Sequence, residues 1–93
     1  MVGPSDIISA EEWAFLRHSL GLSLLQMEIM KRLFASKSYQ QIAREMALRP
    51  RMVRTVVNGL YRACGVSNRV QLLVYVLSRL REHLQEREGY LSE

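Results

Sequence analysis

The chain has a single cysteine, Cys64, among 93 residues. No disulfide can close within it, and a reducing, cytoplasmic setting is the expectation that follows. One thiol and two widely separated histidines, His18 and His83, match no zinc-ligand spacing. Two prolines and five glycines leave little room for a disordered linker. The longest apolar run, Leu72 to Leu77, is far short of the roughly 18 residues of a membrane span. No charged, apolar and cleavage-site sequence of a secretory leader opens the chain. Nothing resembles a Ser/His/Asp, Cys/His or paired-carboxylate set, and no glycine-rich loop follows a strand. The chain therefore reads as a non-enzyme with no cofactor and no metal.

The most telling scarcity is of negative charge. Between Glu45 and Glu82 there is no acidic residue, while the same stretch carries Arg49, Arg51, Arg54, Arg62, Arg69, Arg79 and Arg81. Uncompensated charge of one sign suits a polyanion, although a solvated basic face or an acidic protein partner has the same composition. Of 13 basic residues, 11 are arginine, whose planar fork matches phosphate and guanine where lysine acts as a point charge.

What is present reads as five helices. Ser9 with Glu12, Ser23 with Gln26 and Ser38 with Gln41 are three capping boxes, each opening an apolar pattern of helical period. They predict helices over about 10–20, 24–35 and 39–46. Gly21 ends the first, and Leu22 is placed to pack on Met27. Trp13 and Leu16 lie on the first helix's inner face, Leu25, Ile29, Met30, Leu33 and Phe34 on the second's, and Ile42, Ala43 and Met46 on the third's. After a tight turn at 47–49, Pro50 suits the first position of a helix over 50–63, ended by Gly65. Asn68 with Gln71 opens a last helix over about 69–87. Residues 1–8 are expected to form a loose terminus. The helix at 10–20 is expected to cap the core, with a dimer contact or a partner docking site as alternatives.

Two short helices joined by a three-residue turn, the second one basic, form a helix-turn-helix pattern. On helix 50–63, Val53, Val57, Leu60 and Cys64 share one face and are expected to be buried. The opposite face carries Arg51, Arg54, Thr55, Asn58 and Arg62, an array suited to base edges and phosphates.

The stretch from Leu22 to Leu77 resembles the LuxR-type (GerE-like) helix-turn-helix domain of bacterial transcription regulators. The resemblance is carried by Leu22-Ser23, Glu28-Ile29-Met30, Ile42-Ala43-Arg44-Glu45-Met46, Val53-Arg54, Leu60-Tyr61-Arg62, Gly65-Val66 and Arg69. It implies an all-α fold with a four-helix DNA-binding domain over 22–88 that includes the long C-terminal helix; the helix within 1–21 is an N-terminal extra outside the usual family domain. It implies base contacts by Arg54, Thr55 and Asn58, and backbone contacts by Ser38, Gln41, Arg51, Arg62 and Arg69, to which the cation at Arg49 adds one more.

The chain departs from the family at several positions. The family commonly has Glu at Gln26, Gly at Ser36, Ser at Arg49, Thr at Met52 and His at Val56. Arg49 removes an N-cap worth about 1 kcal/mol and sets a cation at a helix N-terminus, favourable only beside a phosphate.

The last helix carries Leu73, Leu77, Leu80 and Leu84 at a 4, 3, 4 spacing, widened by Val70, Val74 and Val76. Part of this seam must cover the core. Leu77, Leu80 and Leu84 are the expected contacts of a homodimer, whose two-fold would set paired recognition helices on successive major grooves about 34 Å apart. Glu82, Glu86 and Glu88 are expected to be solvated. The reading is a sequence-specific, double-stranded-DNA-binding transcription regulator, with an RNA polymerase subunit or regulatory protein as a further partner. The alternative is a protein-interaction module that kept the helix-turn-helix core without DNA binding.

Overall fold

A computed structural model describes residues 7–91, with side-chain environments through Arg87; the expected environment of Glu88 and the expected looseness of residues 1–6 lie outside the described residues. Five helices follow in order: α1 (Ala10–Leu20), α2 (Leu24–Phe34), α3 (Tyr39–Glu45), α4 (Pro50–Cys64) and α5 (Arg69–Leu91). There is no strand among the described residues, so the fold is all-α.

Helix starts follow from local chemistry. At α1, α2 and α3 the N-cap serine oxygen accepts from the backbone N–H three residues on, at 3.1 Å. The Glu12, Gln26 or Gln41 side chain accepts in return from the serine N–H at 2.8 Å. Each box satisfies two N–H groups that the helix leaves open. At α5 the exchange is looser: Asn68 Oδ1 accepts from Gln71 N–H, but the Gln71 side chain accepts from Ser67 instead. Helix α4 has no such device, because Arg49 at its N-cap makes no side-chain capping bond. Gly21 and Gly65 end α1 and α4 in the left-handed conformation. Ser36 and Ala47 adopt positive φ, 62° and 55°, without being glycine, which costs an L-residue roughly 1 kcal/mol or more.

The apolar faces meet in a single cluster drawn from every helix, including Trp13, Leu16, Ile29, Met30, Leu33, Ile42, Val53, Val57, Leu60, Leu72 and Val76. Helix α4 occupies the middle, packed against α2, α3 and α5, and α1 lies across α2 and α5. Trp13 meets Phe34 edge to face, with ring centroids 5.6 Å apart at 83°. Phe15 stacks on His83, and Arg79 donates to Ser19 Oγ at 3.0 Å. Helix α1 thus shares the core with the other four.

Several expectations are corrected. Ile8, expected in a loose terminus, is only 4% exposed and belongs to the core, because the chain must turn inward there to start α1 under Trp13 and Leu16. Leu25 points outward from the first turn of α2 instead of joining its inner face. Cys64 is half-buried, at the rim of the α4 inner face. Leu80 is 6% exposed and buried inside the protein, so it is not free to form a dimer contact. The cause is α1, which docks on the same stretch of α5 through Ser19–Arg79 and Phe15–His83. Helix α5 consequently has two apolar faces: Leu72, Val76 and Leu80 point inward, while Val70, Val74, Leu77 and Leu84 stay exposed. None of the described helices is long and apolar enough to cross a membrane.

Candidate nucleic-acid interface

Helix α4 divides cleanly between core and solvent. Val53, Val57 and Leu60 are fully buried, and at 3.6 residues per turn this forces Arg51, Thr55, Asn58 and Arg62 onto the opposite side. All four are exposed, as is Arg54 at one flank. Met52 is exposed at the other flank, and Val56 is half-buried there. Among the described residues, no ion pair or hydrogen bond engages the guanidinium of Arg49, Arg51, Arg54 or Arg62.

Nearby acids are committed elsewhere. Glu45, at the end of α3, pairs with Lys37 and, at 3.0 Å, with Arg32. Glu28 pairs with Lys31 at 3.1 Å and Arg32 at 3.2 Å. The hydrogen bond from Lys37 to Glu45, and that from Lys31 to Glu28, hold both carboxyls below the usual glutamate value despite some desolvation. These carboxylates therefore stay ionised and balance the α2–α3 cations, leaving the α4 field uncancelled.

The starts of α3 and α4 converge. Tyr39 and Gln40 from α3, with Pro50, Arg51 and Arg54 from α4, line an open cleft of about 290 Å³. Tyr39 also brings its hydroxyl 3.5 Å from that of Tyr61 on α4. Burial, followed by the Tyr39 hydrogen bond, pushes the Tyr61 hydroxyl up to about 12. Gln40 was not singled out in the sequence. Its only signal there is its place beside Tyr39 in the first turn of a capped helix.

The residues expected to touch a nucleic-acid backbone separate into two groups. Arg49, Arg51 and Arg62 are exposed around α4. Ser38 and Gln41 are also exposed; their oxygens accept in capping α3, which leaves the Ser38 O–H and the Gln41 amide N–H groups as that pair's outward donors. Arg69 is placed differently. Its guanidinium is partly buried and donates to the carbonyls of Leu33 at 3.2 Å and Lys37 at 2.5 Å. It fastens the start of α5 to the end of α2 and to the loop that follows it. Arg69 thus has a structural role within the fold through one of its guanidinium nitrogens.

Burial raises the Cys64 thiol above its ordinary value, which disfavours the reactive thiolate. No group of three or more His, Cys, Asp or Glu side chains is placed to hold a metal among the described residues. No protein-family model matches the chain, and no characterised protein or solved structure matches it.

Proposed function

We propose that the protein is a sequence-specific DNA-binding transcription regulator with a LuxR-type helix-turn-helix arrangement, in which α4 enters the major groove. In this reading α3, the turn at 46–49 and α4 are the helix-turn-helix, and α5 supports α4. One observation carries the reading: a helix buried along one side by Val53, Val57 and Leu60 presents Arg51, Arg54, Thr55, Asn58 and Arg62 to solvent, and no acid pairs with its arginines among the described residues. Arg54, Thr55 and Asn58 are the base-reading residues. Arg49, Arg51 and Arg62, with donors near Ser38 and Gln41, hold phosphates. The exposed strip of Val70, Val74, Leu77 and Leu84 is where a second copy would pair to form a two-fold dimer.

The test is binding of the full chain to a random-sequence duplex, followed by fluorescence anisotropy over a salt series. Log affinity should fall linearly with log salt, with a slope of magnitude roughly 5 to 9 for a dimer neutralising about 6–10 phosphates. On a selected site, Asn58→Ala should cost about 1–3 kcal/mol and relax specificity. No binding at low salt would overturn the reading. The protein-interaction alternative draws its support from Met52, an apolar side chain 49% exposed on the same helix.

A further inference from the structure

Beside the polar face of α4 lies an apolar hollow. It is lined by Ala47, Leu48 and Arg49 of the turn and by Arg51, Met52 and Thr55 of α4, and it encloses about 540 Å³ of open space. Leu48 is half-buried at its wall and Met52 stands 49% exposed. Ala47 sets the turn's course with its positive φ of 55°. Thr55 has no hydrogen-bond donor to spare here. Its hydroxyl donates to the carbonyl of Arg51 at 3.0 Å, so its one proton is committed and its methyl group is the apolar surface it contributes. The hollow thus presents a thioether, a leucine edge and two methyl groups.

We infer that this hollow reads thymine, taking the 5-methyl group of a base in the major groove against Met52, Leu48 and the Thr55 methyl. The inference rests on the DNA-binding reading above and adds a base preference to it. Charge complementarity decides the occupant: Arg49 and Arg51 sit on the rim and Arg54 lies one turn away, without acidic partners among the described residues. An apolar site ringed by arginine suits a polyanion that carries an apolar group. In the major groove of duplex DNA that group is the thymine methyl, since the other bases present only donors and acceptors there. Met52 is well suited to the contact, because its unbranched, polarisable side chain adapts to the surface it meets. The division of labour is then lateral. Asn58 and Arg54 recognise donors and acceptors, and the Met52 flank recognises the presence of a methyl.

The experiment uses the full chain and a duplex selected from random sequence. Each thymine of the bound site is replaced singly by deoxyuridine, which removes only the methyl. At one position in each half-site, affinity should fall about 3- to 5-fold, the scale of burying one methyl-sized group. Met52→Ser should bind the deoxyuridine and thymine duplexes equally. Thr55→Ser, which keeps the hydroxyl and its bond to Arg51 while deleting the methyl, should shrink the same difference. Circular dichroism on both variants checks that the exposed substitutions leave the helices intact. If no thymine shows methyl dependence, or if the dependence persists undiminished in both variants, the inference falls while binding to DNA stands. If the chain fails to bind any duplex at low salt, this inference and the functional reading fall together.

Discussion

Tyr39 and Tyr61 meet hydroxyl to hydroxyl, 3.5 Å apart, joining the first residue of α3 to the last turns of α4. Burial and this contact push the Tyr61 hydroxyl up to about 12, from an ordinary value of 10.0. A raised pKa in the fold means that the folded chain holds this proton more tightly than the unfolded chain does. The associated stability is fully present below pH 10 and is lost as pH rises from there through about 12. Thermal unfolding followed across that range should show the midpoint falling, and Tyr61→Phe should blunt the fall. A variant that loses stability on the same alkaline slope as the parent would remove Tyr61 from the account.

Arg69 should matter to stability before it matters to DNA. Arg69→Ala strips the Leu33 and Lys37 carbonyls of a charged donor, at a cost of about 1.5–3 kcal/mol. Arg69→Lys should restore part of this, because both bonds come from one guanidinium nitrogen, Nη2, and an ammonium also carries more than one N–H. Denaturant titration should show a lower midpoint with an unchanged slope. Unchanged stability, together with a salt dependence of DNA binding smaller by about one unit, would instead return Arg69 to the phosphate contacts.

Position 49 should oppose stability to binding. Arg49 is the N-cap of α4 and makes no side-chain cap. Arg49→Ser supplies one and should stabilise the fold by about 0.5–2 kcal/mol, while removing a cation from the proposed interface. Unfolding midpoints should rise as affinity for DNA drops. Arg49→Ala, with neither cap nor charge, should lose affinity to a similar degree without that gain. A rise in both stability and affinity for Arg49→Ser would remove Arg49 from the phosphate contacts.

The two faces of α5 predict opposite consequences for neighbouring leucines. Leu77 is 42% exposed, so Leu77→Glu should leave the helices and their melting intact and should shift sedimentation from dimer to monomer. Leu80 is buried under α1, and Leu80→Ala should cost about 2–5 kcal/mol by opening a cavity. A parent chain that sediments as a monomer at all concentrations would count against pairing through this strip.

Helix positions were legible in the sequence because the signals that set them act over three or four residues. Ser9 needs only Glu12, Ser23 only Gln26 and Ser38 only Gln41, and Gly21 and Gly65 need no distant partner to turn left-handed. The buried side of α4 was legible for the same reason. Once Val53, Val57 and Leu60 face inward, helical geometry alone sends Arg51, Thr55, Asn58 and Arg62 outward. The long-range choices were not legible. Arg69 reads as one more free cation until α2 brings the carbonyls of Leu33 and Lys37 within its reach, 36 and 32 residues away. Leu80 is indistinguishable from Leu77 along the α5 seam until α1 settles on one of them. The hollow beside Met52 exists only because the turn at Ala47 and Leu48 is held against the start of α4. Periodicity and capping are properties of a single helix and can be read along the chain. Which of two apolar stripes is covered, and which arginine is spent within the fold, depends on where the other helices come to rest.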